Sequence, residues 1–201
     1  MTIGDYIAIF DTHFEKYNNL SPWQITSRLI EILTDLLASC DIDFSKHEGI
    51  AVHKTATIEK GAIIKAPAII GPKSFIGAHA YLRGGVFLGQ GVTIGPGCEV
   101  KSSVVFDHSS LAHFNFVGDS IIGSNVNFEA GAVIANHYNE RPDEQIRVLH
   151  QRRAIETGST KFGALVGDNC KVGANAVLSP GTVLEKNKVV KRLELVEQVI
   201  E

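Results

Sequence analysis

From Val52 onward an aliphatic or aromatic residue returns at every sixth position: Ile58, Ile64, Ile70, Ile76, Leu82, Leu88, Ile94, Val100 and Phe106. Ala112 continues the series with a small residue, two shortened steps bring Val117 and Ile122, and Phe128 and Ile134 restore the spacing. After a polar interval the beat resumes at Val166, Val172, Leu178 and Leu184. The residue two places before each beat is small or Val, from Ala56, Ala62 and Ala68 through to Cys170, Ala176 and Thr182. An amphipathic helix needs apolar spacings of three and four, and an ordinary strand alternates briefly and then turns. A short strand and a bend every six residues, with three faces to a coil, accounts for a large-plus-small pair at this period. The large residue fills the axis and the small one fits the corner. The beats of Val52–Leu184, taken three to a coil, predict about six coils.

Two segments fall outside this rhythm. Ser21-Pro22 opens a helix, a capping hydroxyl followed by Pro at the first helical position. Trp23, Ile25, Leu29, Ile30, Ile32, Leu33, Leu36 and Leu37 then form an apolar stripe that ends near Ser39-Cys40. Open solenoid ends expose strand edges and axial residues, so residues 1–45 are expected to form a helical cap on the first coil of a 46–201 β-helix domain. Residues 137–160 interrupt the repeat with Arg141, Arg147, Arg152 and Arg153, and are expected to form a loop arching over a site.

Composition narrows the function classes. There are 19 Lys+Arg against 22 Asp+Glu, a net charge of −3, without a basic run. That argues against nucleic acid or an anionic membrane as the main partner. The stretch Met1-Thr2-Ile3-Gly4-Asp5 has no basic region before an apolar one, which gives the expectation of a cytoplasmic protein. The three cysteines, Cys40, Cys98 and Cys170, are far apart, so neither a disulfide framework nor structural zinc is expected. His108 and His113 are five apart and His137 lies far along the chain, a poor start for a three-His metal site, so no metal is expected.

Candidate chemistry gathers on the coils. Arg83 and Lys101 each follow a beat by one place and are 18 residues apart, one full coil, so they should stack outward at about 4.8 Å. Like charges so placed are unfavourable unless an anion joins them, and a phosphate would. Two solvated cations, or partners of a nearby carboxylate, are the plain alternative. His113 shares the phase of Lys101 two faces further round, within the run of shortened steps, and its imidazole can take a proton from an amine nucleophile. A packed surface His remains the plain reading. Asn127 and Asn136 offer amide groups to a polyol.

The six-residue beat is the hexapeptide repeat, and the chain resembles the left-handed parallel β-helix family. Its handedness follows from that resemblance, because parallel crossovers are otherwise right-handed. Closer matches are Tyr81-Leu82-Arg83, Glu99-Val100-Lys101-Ser102-Ser103, Ala112-His113-Phe114-Asn115-Phe116-Val117-Gly118-Asp119, Asn125-Val126-Asn127-Phe128-Glu129-Ala130-Gly131, Ala135-Asn136 and Lys161-Phe162-Gly163-Ala164. On these strings, from about Pro22 to Pro180, the chain resembles the C-terminal half of the bifunctional N-acetylglucosamine-1-phosphate uridyltransferase/glucosamine-1-phosphate acetyltransferase family. Within that resemblance it is nearest the long-loop branch of sugar-phosphate nucleotidyltransferases.

The resemblance implies an acetyl-CoA-dependent N-acetyltransferase acting on an amino-sugar phosphate in UDP-N-acetylglucosamine biosynthesis. His113 would be the general base, and Arg83, Lys101, Phe116, Asn127 and Asn136 would hold the sugar phosphate. Ala130 and Ala174 would present backbone to coenzyme A, and the chain would form a homotrimer. Phe116 stands where the family commonly has Tyr, so one hydroxyl contact is missing. The residues before the β-helix are too few for a nucleotidyltransferase domain, so uridyl transfer by this chain is not expected. The alternative reading is a non-catalytic β-helix that binds a sugar phosphate or nucleotide sugar, or a trimeric partner of a separate nucleotidyltransferase.

Overall fold

The structure, a computed structural model, describes residues 1–199. It is mainly β, a parallel β-helix of three faces with seven rungs on each. One face stacks Thr57–Ile58, Phe75–Ile76, Thr93–Ile94, Ser110–Leu111, Asn127–Phe128, Lys171–Val172 and Val189–Val190, and is called the groove face below. A second, the bare face, runs from Ile63–Ile64 through Phe116–Gly118 and Val133–Ile134 to Leu195–Val196. The third, the covered face, runs from Ile50–His53 through Ala68–Ile70 and Ile121–Ile122 to Ala164–Val166 and Thr182–Leu184. Two long strands, Tyr81–Leu88 and Glu99–Val105, bend round the corner between the bare and covered faces and belong to both.

The beat residues meet on the axis. Ile70, Leu82, Leu88, Ile94, Val100, Val117, Ile134, Val166 and Leu178 are fully buried there. A buried side chain of this kind contributes about 1.5–3 kcal/mol each, and the axis is an unbroken column of them. Small polar residues near the corners return their hydroxyls to the backbone: Ser74 Oγ donates to Gly89 O at 2.8 Å and Ser109 Oγ to Gly123 O at 2.7 Å. Corners turn through left-handed backbone, as at His79, Phe114, Asn175 and Leu193 along one edge. Gly97 lies between the first two, and a Cβ there would stand 2.5 Å from the Phe114 ring.

The predicted phase needs correcting over one stretch. Leu88 pairs with Val105 and Ile94 with Leu111, so the beats are Val105 and Leu111, not Phe106 and Ala112. The first five-residue step runs from Val100 to Val105, where Gly84 and Gly85 of the preceding coil face only Ser102 and the register shifts. Phe106 points out of the axis into a second core. His113 therefore lies two places after its beat, at a corner, and does not share the phase of Lys101. The rhythm also continues past Leu184 to Val190 and Val196, which makes seven coils instead of about six.

The helices are α1 (Ile3–Tyr6), α2 (Phe10–Phe14), α3 (Pro22–Ser27) and α4 (Leu29–Ser39). Gln24 Oε1 accepts the Ser21 N–H at 2.9 Å at the start of α3, and the single predicted helix is broken at Arg28. These helices do not cap the first coil. Their apolar stripe lies along the covered face, where Phe10, Phe14, Ile25, Leu29, Ile32 and Leu33 pack on Ile69, Phe87, Val104, Phe106 and Ile121. The end of the solenoid stays open on the groove face, with Ile58 39% exposed, while Phe44–His47 pairs antiparallel with Ile50–His53 along one edge.

The insertion does not arch over a site either. It folds into an antiparallel hairpin, Arg147–His150 with Arg153–Glu156, and buries Ile146 and Val148 in the same outer core. Tyr6 Oη and His150 Nδ1, 3.0 Å apart, tie it to α1. No described helix is long and apolar enough to cross a membrane.

Candidate functional site

The stacked cations are where the 18-residue spacing places them: Arg83 pairs with Lys101 across adjacent strands at the edge of the bare face. The anion that relieves their repulsion is supplied by the chain itself. Arg83 lies 2.7 Å from Glu99 and Lys101 2.8 Å from Asp119. Asp119 also accepts a short bond from Asn136 Nδ2, and Asn136 Oδ1 stands 3.2 Å from His137 Nδ1. Asp119 and Asn136 are both buried, so the row Lys101–Asp119–Asn136–His137 is a fixed polar chain that runs into the start of the insertion. Among the charged members Arg83, Lys101, Glu99 and Asp119 the formal charges cancel.

Glu99 and Asp119 were missed as site residues although the sequence carried a signal. Asp119 follows Lys101 by the same 18 residues that separate Lys101 from Arg83. The short coil instead pairs Lys101 with Gly118, which puts Asp119 on the corner in left-handed backbone, and its carboxylate reaches the ammonium.

His113 stands exposed at the corner between Ser110–Leu111 and Phe116–Gly118, where the groove and bare faces meet. Its carbonyl accepts the Gly131 N–H at 2.9 Å, which fixes the corner to the next coil. The neighbouring Phe114 is 73% exposed, and Phe116 is half-buried on the bare face beside Glu99. Asn127 is exposed on the groove face, between Ser110 and Lys171. Ala130 and Ala174 lie on the corner of His113, further along the solenoid, and their carbonyls accept Asn175 N–H and Leu193 N–H at 3.0 Å each. One chain therefore gathers Arg83, Lys101, Phe116 and Asn136 on or beside the bare face, with His113 on the far edge of that face and Asn127 round the corner.

A groove of about 460 Å³ runs beside Asn127 and is walled by Glu129, Lys171, Gly173, Lys191 and Arg192. Glu129 takes two bonds of 2.8 Å from Arg192 and one of 2.9 Å from the Ala174 N–H. The Arg192 guanidinium, followed by that N–H, holds the Glu129 carboxyl below the usual carboxylate range. No group of three or more His, Cys, Asp or Glu among the described residues could hold a metal ion.

Comparison with known proteins agrees with this architecture. Residues 67–101 and 163–191 match the family described as the hexapeptide repeat of succinyl-transferase. A bifunctional sugar-1-phosphate nucleotidylyltransferase/acetyltransferase of Sulfurisphaera tokodaii is 39% identical over 83 residues, 41% of this chain and 20% of that protein. The bifunctional protein GlmU of Methanococcus vannielii is 35% identical over 103 residues, 51% of this chain and 24% of that protein. The chain thus spans about a fifth to a quarter of the length of these curated relatives. A hexapeptide transferase family protein from Anaplasma phagocytophilum superposes with a TM-score of 0.50 at 18% identity, covering 77% of this chain and 82% of that one. The resemblance to hexapeptide-repeat transferases therefore holds in sequence over about half of the chain, and in fold over most of it.

Proposed function

We propose that this chain is an acyltransferase that moves an acetyl group from coenzyme A to the amine of an amino-sugar phosphate, with His113 as general base. The observation that carries the reading is the corner itself. An exposed imidazole lies between a face bearing paired cations and a groove walled by Lys171, Lys191 and Arg192. The relatives from Sulfurisphaera tokodaii and Methanococcus vannielii, by name an acetyltransferase and a GlmU, support the choice of reaction.

In this mechanism the amine attacks the thioester carbonyl while His113 takes its proton. The tetrahedral intermediate then collapses, and the coenzyme A thiolate leaves with a proton. Arg83 and Lys101 hold the acceptor's phosphate by exchanging their carboxylate partners for it. Asn127 and Asn136 face the sugar hydroxyls, and Ala130 and Ala174 present backbone to coenzyme A. Phe116 packs on the sugar with no hydroxyl to offer.

The chain acts as a homotrimer, as the resemblance implies, and the bare face supports an association of copies: Ile63, Tyr81, Phe116, Val133, Val177 and Leu195 point outward there with no described helix of the chain laid over them. The cytoplasm, where the thioester and nucleotide sugars are made, is its compartment.

The test is release of free coenzyme A from acetyl-CoA with glucosamine-1-phosphate and related amino-sugar phosphates, comparing the native chain with His113→Ala. Turnover that His113→Ala abolishes is the expected result. A folded protein that turns over none of these acceptors would overturn the reading in favour of a β-helix that binds nucleotide sugars or partners a separate nucleotidyltransferase.

A further inference from the structure

The Glu129–Arg192 pair is unlike the other carboxylate contacts along the solenoid. Near the open end Glu59 makes the same local contact, its Oε2 accepting the Ala78 N–H of the next coil at 2.7 Å, as Glu129 does with Ala174. Both Glu residues follow a beat by one place, so a carboxylate here is a staple between adjacent coils. Glu129 then does something Glu59 does not. Its two oxygens also take the Arg192 guanidinium, which lies a further coil along. Gly173 stands between them in the column, and a Cβ on it would meet the Arg192 backbone N at 2.5 Å. Glycine keeps the coils close enough for one carboxylate to engage both.

The consequence is chemical. In this groove Lys171, Lys191 and Arg192 are cationic, and Glu129 is the one carboxylate among its lining residues. Arg192 presents a planar fork of donors suited to a carboxylate or a phosphate, and the Ala174 N–H adds a third donor. Glu129 fills all three positions. The pair is held at the surface, with Arg192 72% and Glu129 37% exposed, so opening it costs little.

We propose that Glu129 is a built-in competitor for an anionic group of the ligand that enters this groove. A phosphate of that ligand displaces the Glu129 carboxylate from Arg192 and the Ala174 N–H, and Glu129 thereby sets the affinity and the selectivity for anions. The inference rests on the proposed role of Ala174 toward coenzyme A, which puts the acyl donor at the Arg192 end of this groove and the sugar at its Asn127 end, and it names the residue that controls donor entry. No bond is made or broken in this exchange: one anion replaces another on the same donors.

The test is a double-mutant cycle read by calorimetric binding of inorganic pyrophosphate and of coenzyme A at fixed salt. Native, Glu129→Gln, Arg192→Ala and the double variant are compared, with Glu59→Gln as the control. Relief of competition makes Glu129→Gln bind pyrophosphate about fivefold more tightly, the scale of an exposed ion pair. That gain disappears in the Arg192→Ala background, and Glu59→Gln shows none.

An equal gain with and without Arg192 would reduce the effect to an altered net charge and overturn the proposal. So would no gain at all in a variant that melts like the native chain. Coenzyme A separates the two layers. Binding of coenzyme A that is indifferent to Glu129→Gln removes the gate and leaves the donor groove. A pyrophosphate gain without any coenzyme A binding supports the gate and removes the donor reading.

Discussion

The covered and bare faces of the solenoid begin alike and end differently. Each presents one outward residue per coil, Ala51, Ile69, Phe87, Val104, Ile121, Leu165 and Val183 on the first, Ile63, Tyr81, Glu99, Phe116, Val133, Val177 and Leu195 on the second. Every member of the covered column is at most 6% exposed, because four helices and a hairpin lie on it. On the bare face Ile63 is 50% and Leu195 61% exposed. A coil can therefore carry an apolar outer column for either of two reasons, to seat its own chain or to seat another. The groove face, with Thr57, Phe75, Thr93, Ser110, Asn127, Lys171 and Val189 in the corresponding positions, is the more polar reference for both, five of its seven residues being polar.

The largest effect expected from breaking this comparison lies on the covered side. Phe87 packs against Phe14 at 5.2 Å and Phe106 at 6.1 Å between ring centroids. Phe87→Ala should cost about 3–5 kcal/mol, read as a fall in the denaturation midpoint with helices and hairpin loosening together. Asp119→Ala comes next. It leaves the mostly buried Lys101 ammonium and the Asn136 amide without their acceptor, and a loss of about 2 kcal/mol in urea denaturation is expected. An unchanged midpoint would show that the polar chain adds nothing to the fold.

Val177→Glu tests the bare face. It should leave the midpoint of the isolated chain within about 0.5 kcal/mol while separating the copies in sedimentation velocity. The smallest effect is a pH slope. Partial desolvation against the Phe87 and Phe106 rings lowers the pKa of the otherwise exposed His13 from its ordinary 6.5, with Asp107 opposing. The unfolded chain then binds the proton more readily, so stability falls as pH drops through 6.5 towards the lowered value. His13→Gln should flatten that part of the melting-temperature profile, and an unaltered slope would place it on another group.

The pattern along the chain made most of the solenoid legible, because a six-residue beat allows no competing regular structure. It failed where two apolar residues stand side by side. Val105 and Phe106 both qualify as the beat, and only the strand register shows that a corner lost one residue at Ser102 and turned Phe106 outward. The stripe on the N-terminal helices was readable, but its destination was not. An outward column such as Ile69, Phe87, Ile121 and Leu165 emerges only once the phase is known. In the site, the 18-residue spacing found the Arg83–Lys101 stack. The same spacing pointed to Asp119, but the shortened coil moves it onto a corner, and its contact with Lys101, like that of Glu99 with Arg83, shows only in the side-chain geometry.

The most direct test of the contrast between the two faces is the mass of the native particle in solution, by light scattering on a size-exclusion column. The bare face predicts that the particle holds more than one copy of the 21.8 kDa chain, and the proposed trimer sets the number at three. A single chain, stable and monodisperse at concentrations well above micromolar, would show that this apolar face needs no second copy and would contradict the account.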